Sequence, residues 1–155
     1  MIYPIYKSKR CRRRDQIGMY DDSGYVYRGR KTDREGRPPE GSLVGCFDRE
    51  GRIFWDAFRQ SQMGELIQTG GVYAVHPVTG KRAEGLANSD GQGFKGAAQD
   101  FLAVCVPQGE LRQQAAAAAL LLLKDDLPEK RRLEDLPRWL EGLVDLIDLV
   151  MDFVT

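Results

Sequence analysis

At 155 residues the chain has room for one ordinary domain with a modest core. Its 23 basic and 23 acidic side chains cancel, which excludes a global electrostatic pull toward nucleic acid or membrane, although residues 7–37 hold eleven Lys or Arg against five Asp or Glu and residues 124–155 hold five against nine. Cys11, Cys46 and Cys105 are odd in number, widely spaced and form no C-x-x-C pair, which fits a reducing, cytoplasmic setting better than a secreted disulfide framework.

Residues 1–15 read as a basic N-terminal arm or a first strand. Charges interrupt MIYPIYKSKRCRRR where a signal peptide needs its apolar core, and no run approaches the roughly 18 apolar residues of a membrane span, so no transmembrane segment is expected. Lys9, Arg10, Arg12, Arg13 and Arg14 in this run are the candidate contacts to phosphates of a nucleic acid, against the alternative of a solvated charge run or an arm that pairs with the acidic tail.

Between residues 16 and 96 four stretches align with one another without gaps: IGMYDDSGYVY from Ile17, VGCFDREGRIF from Val44, MGELIQTGGVY from Met63 and, more weakly, EGLANSDGQGF from Glu84. Each unit has a Gly, a second Gly six residues on, and an aromatic three residues later. A half-apolar run, a four-residue turn ending in Gly, and a second apolar run predict a β-hairpin. Asp21, Asp48 and Asn88 suit the start of a type I turn, and Gly24, Gly51, Gly70 and Gly91 suit the following position where φ is positive. Gly18, Gly45, Gly64 and Gly85 fall inside the first strand of each unit, where Gly weakens pairing and implies that another backbone comes very close, hence crowding about a central axis. These Asp-x-x-Gly hairpins resemble those of the four-fold beta flower family, small bacterial β-repeat domains. The resemblance covers roughly residues 16–96 and implies a compact pseudo-symmetric β-domain with no established activity. GRKTDREGRPPEGS, residues 29–42, interrupts the repeat as an exposed loop.

Residues 97–155 turn rich in Ala and Leu and read as a C-terminal helical region. AAQDFLAVCV suits a helix or a last strand and leans to helix; residues 110–123 and 136–153 are predicted helices. In the last, Glu141, Asp145, Asp148 and Asp152 form an acidic stripe, and Trp139, Leu140, Leu143, Ile147 and Met151 lie on an apolar face too broad for one neighbour. The Ala/Leu helix, a second copy of the chain, a protein partner or a membrane surface are the candidates to cover it, and the acidic stripe disfavours the membrane.

The fold class expected is therefore α+β: about four pseudo-symmetric antiparallel hairpins followed by two or three C-terminal α-helices. No catalytic, cofactor or metal site is expected. His76 is the only histidine and sits beside a turn, the paired acids Asp21/Asp22 and Asp125/Asp126 fall in turn segments, and GLANSDGQGFKG lacks the phosphate-loop pattern. Tyr25, Tyr27 and Trp55 suit core packing more than a ligand platform. The function expected is a non-enzymatic β-repeat module whose helical tail mediates self-association or attachment to a larger bacterial assembly, with nucleic-acid binding by the basic arm as the alternative and an unrecognised small-ligand-binding protein or enzyme third.

Overall fold

A computed structural model describes residues 1–96 and 101–129. Ten strands, β1 (Ile2–Tyr6), β2 (Gln16–Asp21), β3 (Tyr25–Arg28), β4 (Leu43–Phe47), β5 (Arg52–Phe54), β6 (Gln62–Leu66), β7 (Gly71–His76), β8 (Gly80–Ala87), β9 (Gln92–Lys95) and β10 (Phe101–Cys105), pair antiparallel in chain order, and β1 closes on β10. Closure removes both sheet edges, which would otherwise present unpaired backbone groups. One helix, α1 (Arg112–Leu122), follows.

The four repeat units are the hairpins β2–β3, β4–β5, β6–β7 and β8–β9. Their turns are built alike: Gly24, Gly51, Gly70 and Gly91 have φ of +90°, +92°, +95° and +83°, and each donates its N–H to the carbonyl three residues earlier. Asp21, Asp48 and Asn88 accept backbone N–H bonds within their own turns, as short polar side chains at such positions do. Each turn glycine then accepts a hydrogen bond from the next unit, at Phe47, Leu66, Ala87 and Val106 in turn. That last donor, Val106, follows β10. Strand β10 thus takes the first-strand place of a fifth unit and β1 its second, with no turn joining them.

The seams between units obey one rule. Ile5 faces Gly18, Val26 faces Gly45, Ile53 faces Gly64 and Val72 faces Gly85; in the fifth seam the order reverses and Gly93 faces Val104. A register shift lies next to every one of these pairs, and such bulges add the bend and twist that close a small barrel. A Cβ on Gly18, Gly45, Gly64 or Gly85 would sit under 3.0 Å from the carbonyl oxygen of Tyr27, Phe54, Tyr73 or Phe94, so the glycine is required by the close approach of its hairpin partner.

Helix α1 occupies the barrel axis. Ala115 to Leu123 are all buried, the signature of a helix apolar on every side and surrounded by protein. Ten strands leave more room than side chains alone would fill, and a helix with a stretch of alanines fits that lumen. At about 100° per residue, four consecutive leucines point to four successive units. Leu123 packs on Gly18, Leu122 on Gly45, Leu121 on Gly64, and Leu120 on Gly85 and Gly93. The crowding implied by the strand glycines is this helix. Its first turn is tied to the hairpin-turn end by Arg112 donating to the Ser89 carbonyl, Gln113 to Ala87 and Gln114 to Arg49. Its far end lies at the connecting-loop end, where Arg28 and Asp126 pair at 2.9 Å.

The α+β expectation is corrected by this architecture: the molecule is a closed ten-stranded antiparallel barrel, and the described residues hold a single α-helix rather than two or three C-terminal ones. The Ala/Leu helix is the core of the barrel and not an appendage, because its alanines are small enough for strands to surround it. Residues 101–105, which lean to helix by composition, form β10, because pairing with β9 and β1 completes the closure. The predicted helix at residues 136–153 lies outside the described residues.

Candidate functional site

The two ends of the barrel differ. Four short turns and residues 107–111 make the hairpin end, where Asp21, Asp22, Asp48, Glu50, Asp90 and Glu110 outnumber Arg49. A cleft of about 300 Å³ there is lined by Tyr3, Tyr20, Asp22, Arg49, Glu110 and Leu111, and three of these are engaged internally. Tyr3 donates to Asp22, which also pairs with the N-terminal ammonium, and Tyr20 donates to the Gln108 carbonyl. The Tyr3 hydrogen bond and the ammonium hold the Asp22 carboxyl below its ordinary range.

The opposite rim is made of longer, unrelated loops. The sequence-predicted basic residues fall in the β1–β2 connection, which is a closed loop rather than a free arm. Lys7 N–H bonds the Asp15 carbonyl at 2.9 Å, and a single 3-10 turn spans Arg13–Asp15. Lys9, Arg10, Arg13 and Arg14 are exposed. Arg12 is diverted inward and holds the buried Asp15 at 3.0 Å, so four of the five candidates face solvent. Arg30, from the loop of residues 29–42, donates to the Arg13 carbonyl at 3.2 Å and so joins the two loops. Together they carry ten Lys or Arg against four Asp or Glu. Arg30 is a site residue that sequence reasoning missed, since nothing local links it to Arg13.

Beside them a cleft of about 330 Å³ is lined by Arg28, Val44, Trp55, Leu121, Leu122, Lys124 and Asp125. Trp55 is 62% exposed, and Leu43 and Phe58 are exposed nearby in sequence. The loop of residues 55–61 is shaped by Asp56, whose carboxylate accepts N–H bonds from Gln60 and Ser61; the bond from Ser61 chiefly holds its acid group below the ordinary value. Arg59, at φ +57°, reaches back over the Tyr25 ring at 5.5 Å and donates to the Ser23 carbonyl. Tyr27 bonds Asp21, and burial, with Asp21 adding to it, pushes its phenol up to about 12. Tyr25 and Tyr27 therefore serve packing and hydrogen bonding on the outer wall, and Trp55 alone of the three lines the cleft.

His76 has the turn-forming role that its place suggests: Nδ1 accepts N–H bonds from Val78 and Thr79 at 3.1 and 3.2 Å. Among the described residues no group of three His, Cys, Asp or Glu converges as a metal site. No described helix is long and apolar enough to cross a membrane. Of the repeat glycines, Gly18, Gly45, Gly64 and Gly85 line the axis and Gly24, Gly51, Gly70 and Gly91 form the turns. Trp139, Leu140, Leu143, Ile147 and Met151, the predicted partner face, lie outside the described residues. Scans against family models, curated proteins and solved structures find no match to this chain.

Proposed function

We propose that this protein is a non-enzymatic β-repeat module that works in a reducing, cytoplasmic setting and self-associates or joins a larger bacterial assembly through residues 136–153. The observation that carries this reading is the enclosure of α1. Ala115 to Leu123 are already covered on all sides by strands, so the Ala/Leu helix is not available to bury the apolar face of Trp139, Leu140, Leu143, Ile147 and Met151. A second copy or a partner is the cover we propose for that predicted face. The kinship with four-fold beta flower domains belongs to the same proposal and rests on the hairpin motif alone. Light scattering on the full chain and on a Leu143→Asp/Ile147→Asp variant tests the association. Wild type is expected to exceed the monomer mass and the variant to return to it, and a monomeric wild type overturns self-association.

A second reading, binding of nucleic acid at the connecting-loop rim, is favoured by the Arg30–Arg13 contact that gathers two basic loops on one side. Binding of a single-stranded or duplex oligonucleotide should weaken steeply as salt rises, and Arg13→Ala/Arg14→Ala should lower the slope. Salt-independent or absent binding ends that reading.

A further inference from the structure

We propose that Cys11 and Cys105 form a dithiol modification site that low-molecular-weight disulfides oxidise to an intramolecular bridge, latching the seam where the barrel closes. The two residues are 94 positions apart, yet their sulfurs lie 3.6 Å from one another. Forming a bond of about 2.05 Å asks them to approach by roughly 1.5 Å more. Cys11 sits on the basic loop at φ +52°, one of two non-glycine residues at positive φ among the described residues. Such a conformation costs an L-residue energy and persists only where the surroundings impose it. Here the thiol meets Cys105 and donates to the Ser8 carbonyl at 3.8 Å, with Ser8 itself fully buried. Cys105 is the last residue of β10, opposite Tyr6 in the only aligned pair between β1 and β10. No turn connects these two strands, so a covalent bond here would fasten the one unit of the barrel whose halves are the first and the last strand.

The more exposed thiol, Cys11, loses its proton and attacks one sulfur of the small disulfide, forming a mixed disulfide and releasing one thiolate. Cys105 then loses its proton and attacks the Cys11 sulfur, releasing the second small thiol. Two protein thiols are oxidised by two electrons in all, and one small disulfide is reduced to two thiols. Cys46 is an internal control. It lies on β4 beneath the loop of residues 55–61 and donates to the Asp56 carbonyl at 3.0 Å; burial raises its thiol above the usual range, which makes it a poor nucleophile.

The test uses the full chain treated with oxidised glutathione, then analysed by intact mass, thiol counting, peptide mapping and thermal melting. The expected results are a loss of about 2 Da, one remaining thiol, a Cys11–Cys105 peptide, and a melting temperature raised on the order of 10 °C that dithiothreitol reverses. Cys11→Ser, on the loop, and Cys105→Ser should each abolish the crosslink and the shift; if Cys105→Ser does not fold, Cys11→Ser carries the test. Three free thiols, glutathione adducts without a crosslink, a bridge to Cys46, or a bridge that leaves melting unchanged would each overturn the proposal.

Discussion

The hairpin end and the connecting-loop end of this barrel are built on opposite plans. At the hairpin end, four turns of equal length repeat the same hydrogen bonds, and the first turn of α1 is pinned among them. At the other end the connections range from three residues between β7 and β8 to fourteen between β3 and β4, and positive charge gathers there. Uniform turns arise where each unit must pack on the next at a fixed angle. Variable loops arise where nothing beyond the strand ends has to match, and such segments are free to carry binding. The contrast separates an end fixed by repeated packing from one whose loops are free to vary.

The largest expected effect strikes the shared axis on which both ends depend. A chain ended at Pro107 lacks α1 and leaves a lumen lined by strand glycines, so it should show no cooperative thermal transition by circular dichroism. Within the full chain, Leu121→Ala removes the side chain that packs on Gly64 and should cost about 2–5 kcal/mol in urea unfolding. A cost below about 1 kcal/mol would mean that the helix is loosely held.

The seam rule offers a sharper test. Gly93→Val places two β-branched side chains opposite each other and crowds Leu120, and should cost about 1–3 kcal/mol. Val104→Gly leaves two glycines face to face and should also destabilise. The double variant restores one of each and gives the fifth seam the order of the other four, so it should be more stable than the sum of the single changes implies, with a coupling of roughly 0.5–3 kcal/mol. Simple additivity would show that the pairs are independent.

Effects at the variable end should be small on stability. Arg13→Ala/Arg14→Ala is expected to shift unfolding by no more than about 0.5 kcal/mol, because both side chains are exposed. The loop of residues 55–61 should respond to acid. Its Asp56 carboxyl is held below the ordinary value of 3.8 by backbone N–H bonds, so its contribution is present above that value and disappears as pH falls through the lower, folded one. Fluorescence of the adjacent Trp55 should change below about pH 4 in wild type and lose that transition in Asp56→Ala. An identical acid response in the variant would remove Asp56 from the explanation.

Local chemistry made part of this fold legible. The Asp/Asn-to-Gly spacing specifies turns through bonds that span three or four residues, and the Ala/Leu run at residues 115–123 specifies a helix by composition. The strand glycines announced a close approach, because a residue without a Cβ is kept where other atoms need its space. Even the fifth unit left a trace: Ile5-Tyr6 repeats the Val26-Tyr27, Ile53-Phe54 and Val72-Tyr73 pairing of a β-branched residue with an aromatic.

What required the tertiary structure was everything decided between distant segments. Residues 101–105 form a strand only because β9 and β1 are there to pair with them, overriding a composition that suits a helix. The Ala/Leu helix is equally compatible with packing outside a sheet; its place on the axis follows from closure, which surrounds it with the glycines of four units. The contacts Arg30–Arg13 and Cys11–Cys105 likewise join residues with no local relation, 17 and 94 positions apart. Sequence by itself determined the hairpins and the helix, whose hydrogen bonds are short-range. Closure determined the lumen and the seam, because those arise when the first and last strands meet, and the basic rim formed where pairing of β2 with β3 set two distant loops side by side.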